Sequence, residues 1–159
     1  DSVLFYLVAY AAANLTAFFA IVAIGNRIGS DRIEDYAGVA RPAPFLAIAL
    51  ALALVALIGV PPTSIFIAKL YIFTAAIQAD LTWLVVLGVA NSVVSAYYYV
   101  RIIRVVSLQR APTDQEERIS TPPASLLALT IAGGAMLWIG IAPGTILEYS
   151  KIAVGPLIP

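Results

Sequence analysis

Apolar residues in this chain come in long unbroken runs, not in alternation with polar ones. The first run covers about residues 3–25 and is interrupted only by Asn14, Thr16 and a few tyrosines. Further runs cover 43–60, 64–77, 81–100 and about 124–142. A helix needs ~20 apolar residues to cross a bilayer. In lipid the backbone must satisfy its own N–H and C=O groups, which leaves only helices or a closed barrel. Barrel strands would alternate apolar and polar positions, and these runs do not. The pattern predicts an all-α polytopic membrane protein, with residues 1–159 forming a single membrane domain.

The polar interruptions set the topology. Gly59-Val60-Pro61-Pro62-Thr63 splits the stretch 43–77. Two consecutive prolines remove two N–H donors and disfavour helix at the residue before each, so Gly59, Pro61 and Pro62 read as a helix break. The loop at 26–42 carries Arg27, Arg32 and Arg41, and the region after 100 carries Arg101, Arg104, Arg110 and Arg118. The turn at 78–80 has no positive charge. The positive-inside rule places both arginine loops on the cytoplasmic side, which makes 43–77 one discontinuous crossing. About four transmembrane crossings result, at 3–25, 43–77 (broken), 81–104 and 124–142. Residues 43–77 exceed the length of one span, so part of that stretch must tilt, coil or run along the interface.

Smaller features follow from the same pattern. Asp31 and Glu34 have capping-box spacing, which predicts a short surface helix ended by Gly38 and Pro42. Alanines at 47, 49, 51, 53 and 56 allow close helix–helix approach. Tyr97, Tyr98 and Tyr99, followed by Arg101 and Arg104, suit an interfacial belt with cationic anchors. The loop at 107–123 is polar, with Asp114, Glu116 and Glu117 beside its arginines. Pro143-Gly144 ends the last span, and the tail with Glu148 and Lys151 is expected along the surface. Asp1 stands where a Met would begin a chain, and no basic segment precedes the first run. The first span therefore reads as no signal peptide, and the chain as a piece of something longer or one with a missing or processed start.

Composition narrows the function. Of 159 residues, 62% are hydrophobic and 11% charged, too few for the surface of a soluble domain this size. Cysteine and histidine are absent from the sequence. That excludes disulfides, Cys-ligated iron–sulfur clusters, zinc sites of the usual kinds and haem held by His or Cys. A net charge of zero gives no footprint for nucleic acid. No nucleophile–base pair or phosphate loop is present, and Gly133-Gly134 reads as a packing feature because no strand precedes it.

One residue stands apart. Lys69 is the single charge between Arg41 and Asp80. A charged lysine at mid-membrane costs ~3 kcal/mol or more, and low dielectric narrows the gap between its charged and neutral forms. Such a lysine can hold and release a proton, the property of a relay. The competing reading is a lysine snorkelling to the interface along its aliphatic stem. Asn91, Ser95 and Tyr98 recur at i, i+4 and i+7 and share one helix face, flanked by Ser92 and Tyr99. They could line a hydrated path, although interhelical hydrogen bonding explains the spacing more simply. The same holds for Asn14 and Thr16. Glu34 and Asp35 fit a solvated face or a contact to a neighbouring subunit.

Several segments together resemble the antiporter-like, proton-pumping membrane subunits of respiratory complex I, the NADH:quinone oxidoreductase, and subunit N in particular. They are VLFYLVAYAAANLTAFFAIVA, DRIEDYAGVARPAPFLAIALALALVALIGVPPTSIFIAKLYIF and NSVVSAYYYVRIIRV. GVPPT followed by FIAKLY is shared with related cation/proton antiporter subunits; DYAG and AYYYVR favour subunit N. The resemblance is strong over about 2–106 and weak in the final span. It implies the C-terminal part of a longer subunit and one discontinuous helix over 43–77. It implies that Lys69 is a proton-channel lysine leading toward the outer face. Ala68 stands where the family commonly has Gly. The family's other relay residues, a glutamate and lysines on earlier helices, have no positions here.

The expected function is then proton translocation coupled to quinone reduction, as a non-redox subunit of a translocase. FMN, iron–sulfur clusters and quinone would belong to other subunits. The expected partners are the other membrane-arm subunits, the lipid bilayer and protons, in a bacterial plasma membrane. Two alternatives stay open: a subunit of a multi-subunit cation/proton antiporter, and a structural membrane scaffold whose lysine snorkels.

Overall fold

The computed structural model describes residues 2–109 and 122–154, and every regular element among them is helical. Five long or medium helices form the body: α1 (Ser2–Ile28), α2 (Pro44–Ile58), α3 (Ser64–Gln78), α4 (Thr82–Leu108) and α5 (Pro123–Ile141). α6 (Pro143–Val154) follows after Ala142 alone, and a short 3₁₀ turn, Ile33–Tyr36, lies between α1 and α2.

α1 is the central post, packing against α2, α3, α5 and α6. The sequence allows this through a stripe of small residues. Ala9, Ala13, Ala17 and Ala20 are all buried along one face, with Phe5 below and Ile24 above. In lipid there is no hydrophobic drive between helices, so close backbone approach must supply dispersion contacts instead. α2 answers with Ala47, Ala53 and Ala56 buried, while Ala49 and Ala51 are half-buried.

α2 and α3 have 15 residues each. At 1.5 Å per residue each is about 22 Å long, short of the ~30 Å hydrocarbon core. Neither crosses alone, whereas end to end they reach about 45 Å. The 27 residues of α4 reach about 40 Å and return beside both. The break expected at Gly59, Pro61 and Pro62 is therefore present, between Ile58 and Ser64.

The two arginine segments meet at one end of the bundle. The Ala40 N–H donates to the Val106 carbonyl at 3.3 Å, and the 3₁₀ turn packs on α4. Tyr36 is buried there, its hydroxyl donating to the Ile21 carbonyl of α1 at 3.3 Å. Arg27, Arg32, Arg41, Arg101 and Arg104 thus share an end, as charge asymmetry predicted; Arg110 and Arg118, with the acidic residues of that loop, lie outside the described residues.

Two local expectations change. The capping box does not form: Arg32 occupies the cap position without a side-chain hydrogen bond, and Ser30 donates to Asp35 instead. With only four residues in the turn, Glu34 has no full helical turn to cap. The tail folds as a helix, α6, which contacts α1 and α5, leaves Glu148 exposed and buries Ser150; the Lys151 side chain lies outside the described residues. The tyrosine run also divides, since successive helical residues point about 100° apart. Tyr97 is exposed, while Tyr98 and Tyr99 turn toward Lys69.

Candidate functional site

The helix break creates a local shortage of donors. In an uninterrupted helix the Ile58 carbonyl would accept from the N–H four residues on, but that residue is Pro62, which has none. Gly59 adopts a left-handed conformation, φ 89°, and closes α2. Its N–H donates to Ala56 and Val55, and the Val60 N–H donates to Val55. Ile58 is left over, and Lys69 fills the vacancy from α3. Its Nζ donates to the Ile58 carbonyl at 2.9 Å.

Gly59 is also what gives the lysine room. A Cβ there would lie 3.2 Å from both Cδ and Nζ of Lys69. The lysine stem therefore lies across the bare backbone at the end of α2. That end carries the negative pole of the helix dipole, roughly half an elementary charge. A cation placed on it gains both a hydrogen bond and a favourable field. The amine turns to the break.

A second partner comes from α4. Lys69 Nζ donates to Ser92 Oγ at 3.1 Å, and Ser92 Oγ donates to the Gly88 carbonyl at 2.8 Å. Ser92 had only flanked the residues that spacing singled out. Spacing fixes a shared face on one helix but not which member of that face meets a neighbour, so Ser92 was not separable by pattern alone.

Asn91, Ser95 and Tyr98 lie on the wall of a cavity of about 430 Å³ beside Lys69. Ser92 and Tyr99 share that wall, Tyr6 and Tyr10 face it from α1, and Leu57, Ile72 and Phe73 complete it. A liquid water takes up ~30 Å³, so the cavity has room for several. Ser95 Oγ donates to the Asn91 carbonyl at 2.9 Å, and Tyr98 OH donates to Ser95 Oγ at 3.1 Å. Among the described residues these bonds stay within α4. Along the helix the stripe climbs about 10 Å from Asn91 to Tyr98, toward the arginine end. Asn14 and Thr16 also bond their own helix, to Tyr10 and Ala12 carbonyls at 3.0 and 2.8 Å. Short polar side chains in a helix commonly turn back this way.

The chain carrying this site resembles known proteins. A profile described as "NADH:quinone oxidoreductase/Mrp antiporter, TM" matches residues 1–95, more than half of the chain. The chain belongs to this family. NADH-quinone oxidoreductase subunit N of Dehalococcoides mccartyi is 48% identical over 157 residues, 99% of this chain and 32% of the relative. NAD(P)H-quinone oxidoreductase subunit 2 of Rippkaea orientalis is 39% identical over 123 residues, 77% of this chain and 24% of the relative.

Solved structures agree. A chain of respiratory complex I from Thermus thermophilus superposes with a TM-score of 0.74 at 34% identity, covering 91% of this chain and 33% of its own. A chain of the membrane-bound sulfane sulfur reductase, an archaeal respiratory membrane complex, gives 0.77 at 28% identity, covering 87% and 28%. The chain spans about a quarter to a third of the length of these curated relatives.

Proposed function

We propose that this chain is the C-terminal, proton-translocating part of a subunit N of NADH:quinone oxidoreductase, and that Lys69 is its proton relay. The carrying observation is the Lys69 amine held between the Ile58 carbonyl and Ser92 Oγ at a break in a membrane helix, with a polar cavity beside it. Broken helices at membrane depth are tolerated where protein or a watery cavity satisfies the freed backbone, and they commonly house ion sites. The redox cofactors belong to other subunits, and the driving force reaches this site through conformational or electrostatic coupling to quinone reduction. The other membrane-arm subunits are the partners. The arginine end faces the cytoplasm of a bacterial plasma membrane.

The test is substitution of Lys69 in the full-length subunit within the assembled complex, read as protons pumped per NADH oxidised. Lys69→Ala removes the carrier. Lys69→Arg keeps a cation that does not release its proton. Both are expected to lower pumping while the complex stays assembled. Normal pumping in Lys69→Ala defeats the relay and leaves a scaffold role.

A second reading has its own support. The family description spans antiporters, and the fold is shared with a sulfane sulfur reductase complex. The same site would then move ions in an assembly without NADH:quinone chemistry. The identity of the co-purifying subunits separates the two.

A further inference from the structure

We infer that Ser92 is the positioning residue of this site, fixing which of the three directions around Lys69 Nζ is open to exchange. The inference rests on the relay reading of Lys69. An ammonium has three N–H donors and no acceptor. One donates to the Ile58 carbonyl at 2.9 Å and one to Ser92 Oγ at 3.1 Å. Ser92 gives its own hydrogen to the Gly88 carbonyl at 2.8 Å, so its oxygen meets the lysine as an acceptor. The third direction is left for the cavity.

Both protonation states satisfy the same frame. The charged amine points its third N–H into the cavity. After the proton leaves, the neutral amine keeps two N–H donors for Ile58 and Ser92, and its lone pair takes the third direction. Proton loss and gain then occur at one orientation, with no rearrangement of the lysine stem. The titratable groups lining the cavity around this direction are Tyr6 and Tyr10 of α1 and Tyr98 and Tyr99 of α4; no carboxylate lines it among the described residues.

The other hydroxyls cannot stand in for Ser92. Ser95 is bonded to Asn91 and Tyr98 within α4, and neither it nor Tyr98 is in contact with the amine by a hydrogen bond. Threonine could, because Thr16, Thr74 and Thr130 in this bundle turn their hydroxyls back to the carbonyl four residues earlier at 2.7–2.8 Å. That is the Ser92–Gly88 arrangement.

The experiment compares Ser92→Ala, Ser92→Thr and Lys69→Ala in the full-length subunit, in membranes where complex assembly is measured alongside pumping. Ser92→Ala is expected to lower pumping per NADH about tenfold, the factor carried by one hydrogen bond to a charged group, and Ser92→Thr to restore it. Ser92→Ala at the wild-type level with Lys69→Ala impaired overturns the role of Ser92 and leaves the relay standing. Equal loss in Ser92→Ala and Ser92→Thr overturns it too, because packing alone would then account for both. Wild-type pumping in Lys69→Ala overturns the relay itself and this inference with it.

Discussion

Gly140 of α5 lies directly against the Pro62 carbonyl, at the heart of the helix break. A Cβ at 140 would also come within 2.7 Å of the Ser64 nitrogen and 2.8 Å of the Thr63 carbonyl carbon. These neighbours are backbone, not flexible side-chain ends, so they cannot yield cheaply. α5 therefore braces the break directly.

Gly140→Ala is expected to destabilise the subunit by about 1–3 kcal/mol, the usual cost of overpacking a close contact. Gly134→Ala on the same helix meets nothing within 4 Å and is expected to be neutral. Thermal unfolding of the purified complex, or the yield of assembled complex, separates them.

Gly59→Ala combines two effects that a second glycine separates. Gly29 has φ 71° with open space around it, whereas Gly59 has φ 89° with Lys69 atoms 3.2 Å away. Both alanines bring left-handed strain of ~1–2 kcal/mol. Only Gly59→Ala also pushes the lysine off the end of α2. Gly29→Ala is expected to lower stability with pumping per assembled complex unchanged, and Gly59→Ala to lower both. Equal pumping in the two variants would show that contact with Gly59 does not hold the amine.

Much of this arrangement is legible before any coordinates. The Pro-Pro pair gives the break, and arginine placement gives the shared end. The isolated charge gives Lys69. What pattern cannot supply is the partner of that charge. Ile58 contributes only a carbonyl, which every residue has, and its availability depends on Pro62 lacking a donor four positions on. Ser92 differs from Ser95 only by which way α4 is rotated against α3. α6 escaped because its polar residues, Thr145, Glu148, Tyr149 and Ser150, break the apolar run that marks a span, yet Ile146 and Leu147 still pack on the core. The Asp31–Glu34 spacing suggested a cap, but a cap needs a helix longer than this turn.

The arginine end should respond to alkali through Tyr36. Burial first, and the Asp31 carboxylate second, raise its pKa above the ordinary value for a tyrosine of about 10. A folded-state pKa above the unfolded one means the neutral phenol stabilises the fold fully below pH 10. That contribution is lost as pH climbs through the raised value. The loop at 30–43 is expected to stay docked through pH 9 and to loosen only beyond the usual phenol range, seen as faster hydrogen exchange at Ala40 and Ala43. Tyr36→Phe loses the bond to the Ile21 carbonyl, about 1 kcal/mol, and removes this pH dependence. A loop that loosens between pH 7 and 9 in both proteins would contradict the assignment.

The gap that Pro62 leaves at Ile58 has one more consequence. Half of the grip on the Lys69 amine belongs to the main chain, so alanine scanning of α2 would leave that anchor in place and report nothing there. Only edits to the chain itself reach it: replacing Pro62 with a residue that restores the missing N–H, or replacing the amide at Ile58–Gly59 with an ester, which weakens the carbonyl as an acceptor. A membrane lysine seated this way needs no carboxylate from α2 to balance it, because the counter-charge is spread along the peptide groups of the helix.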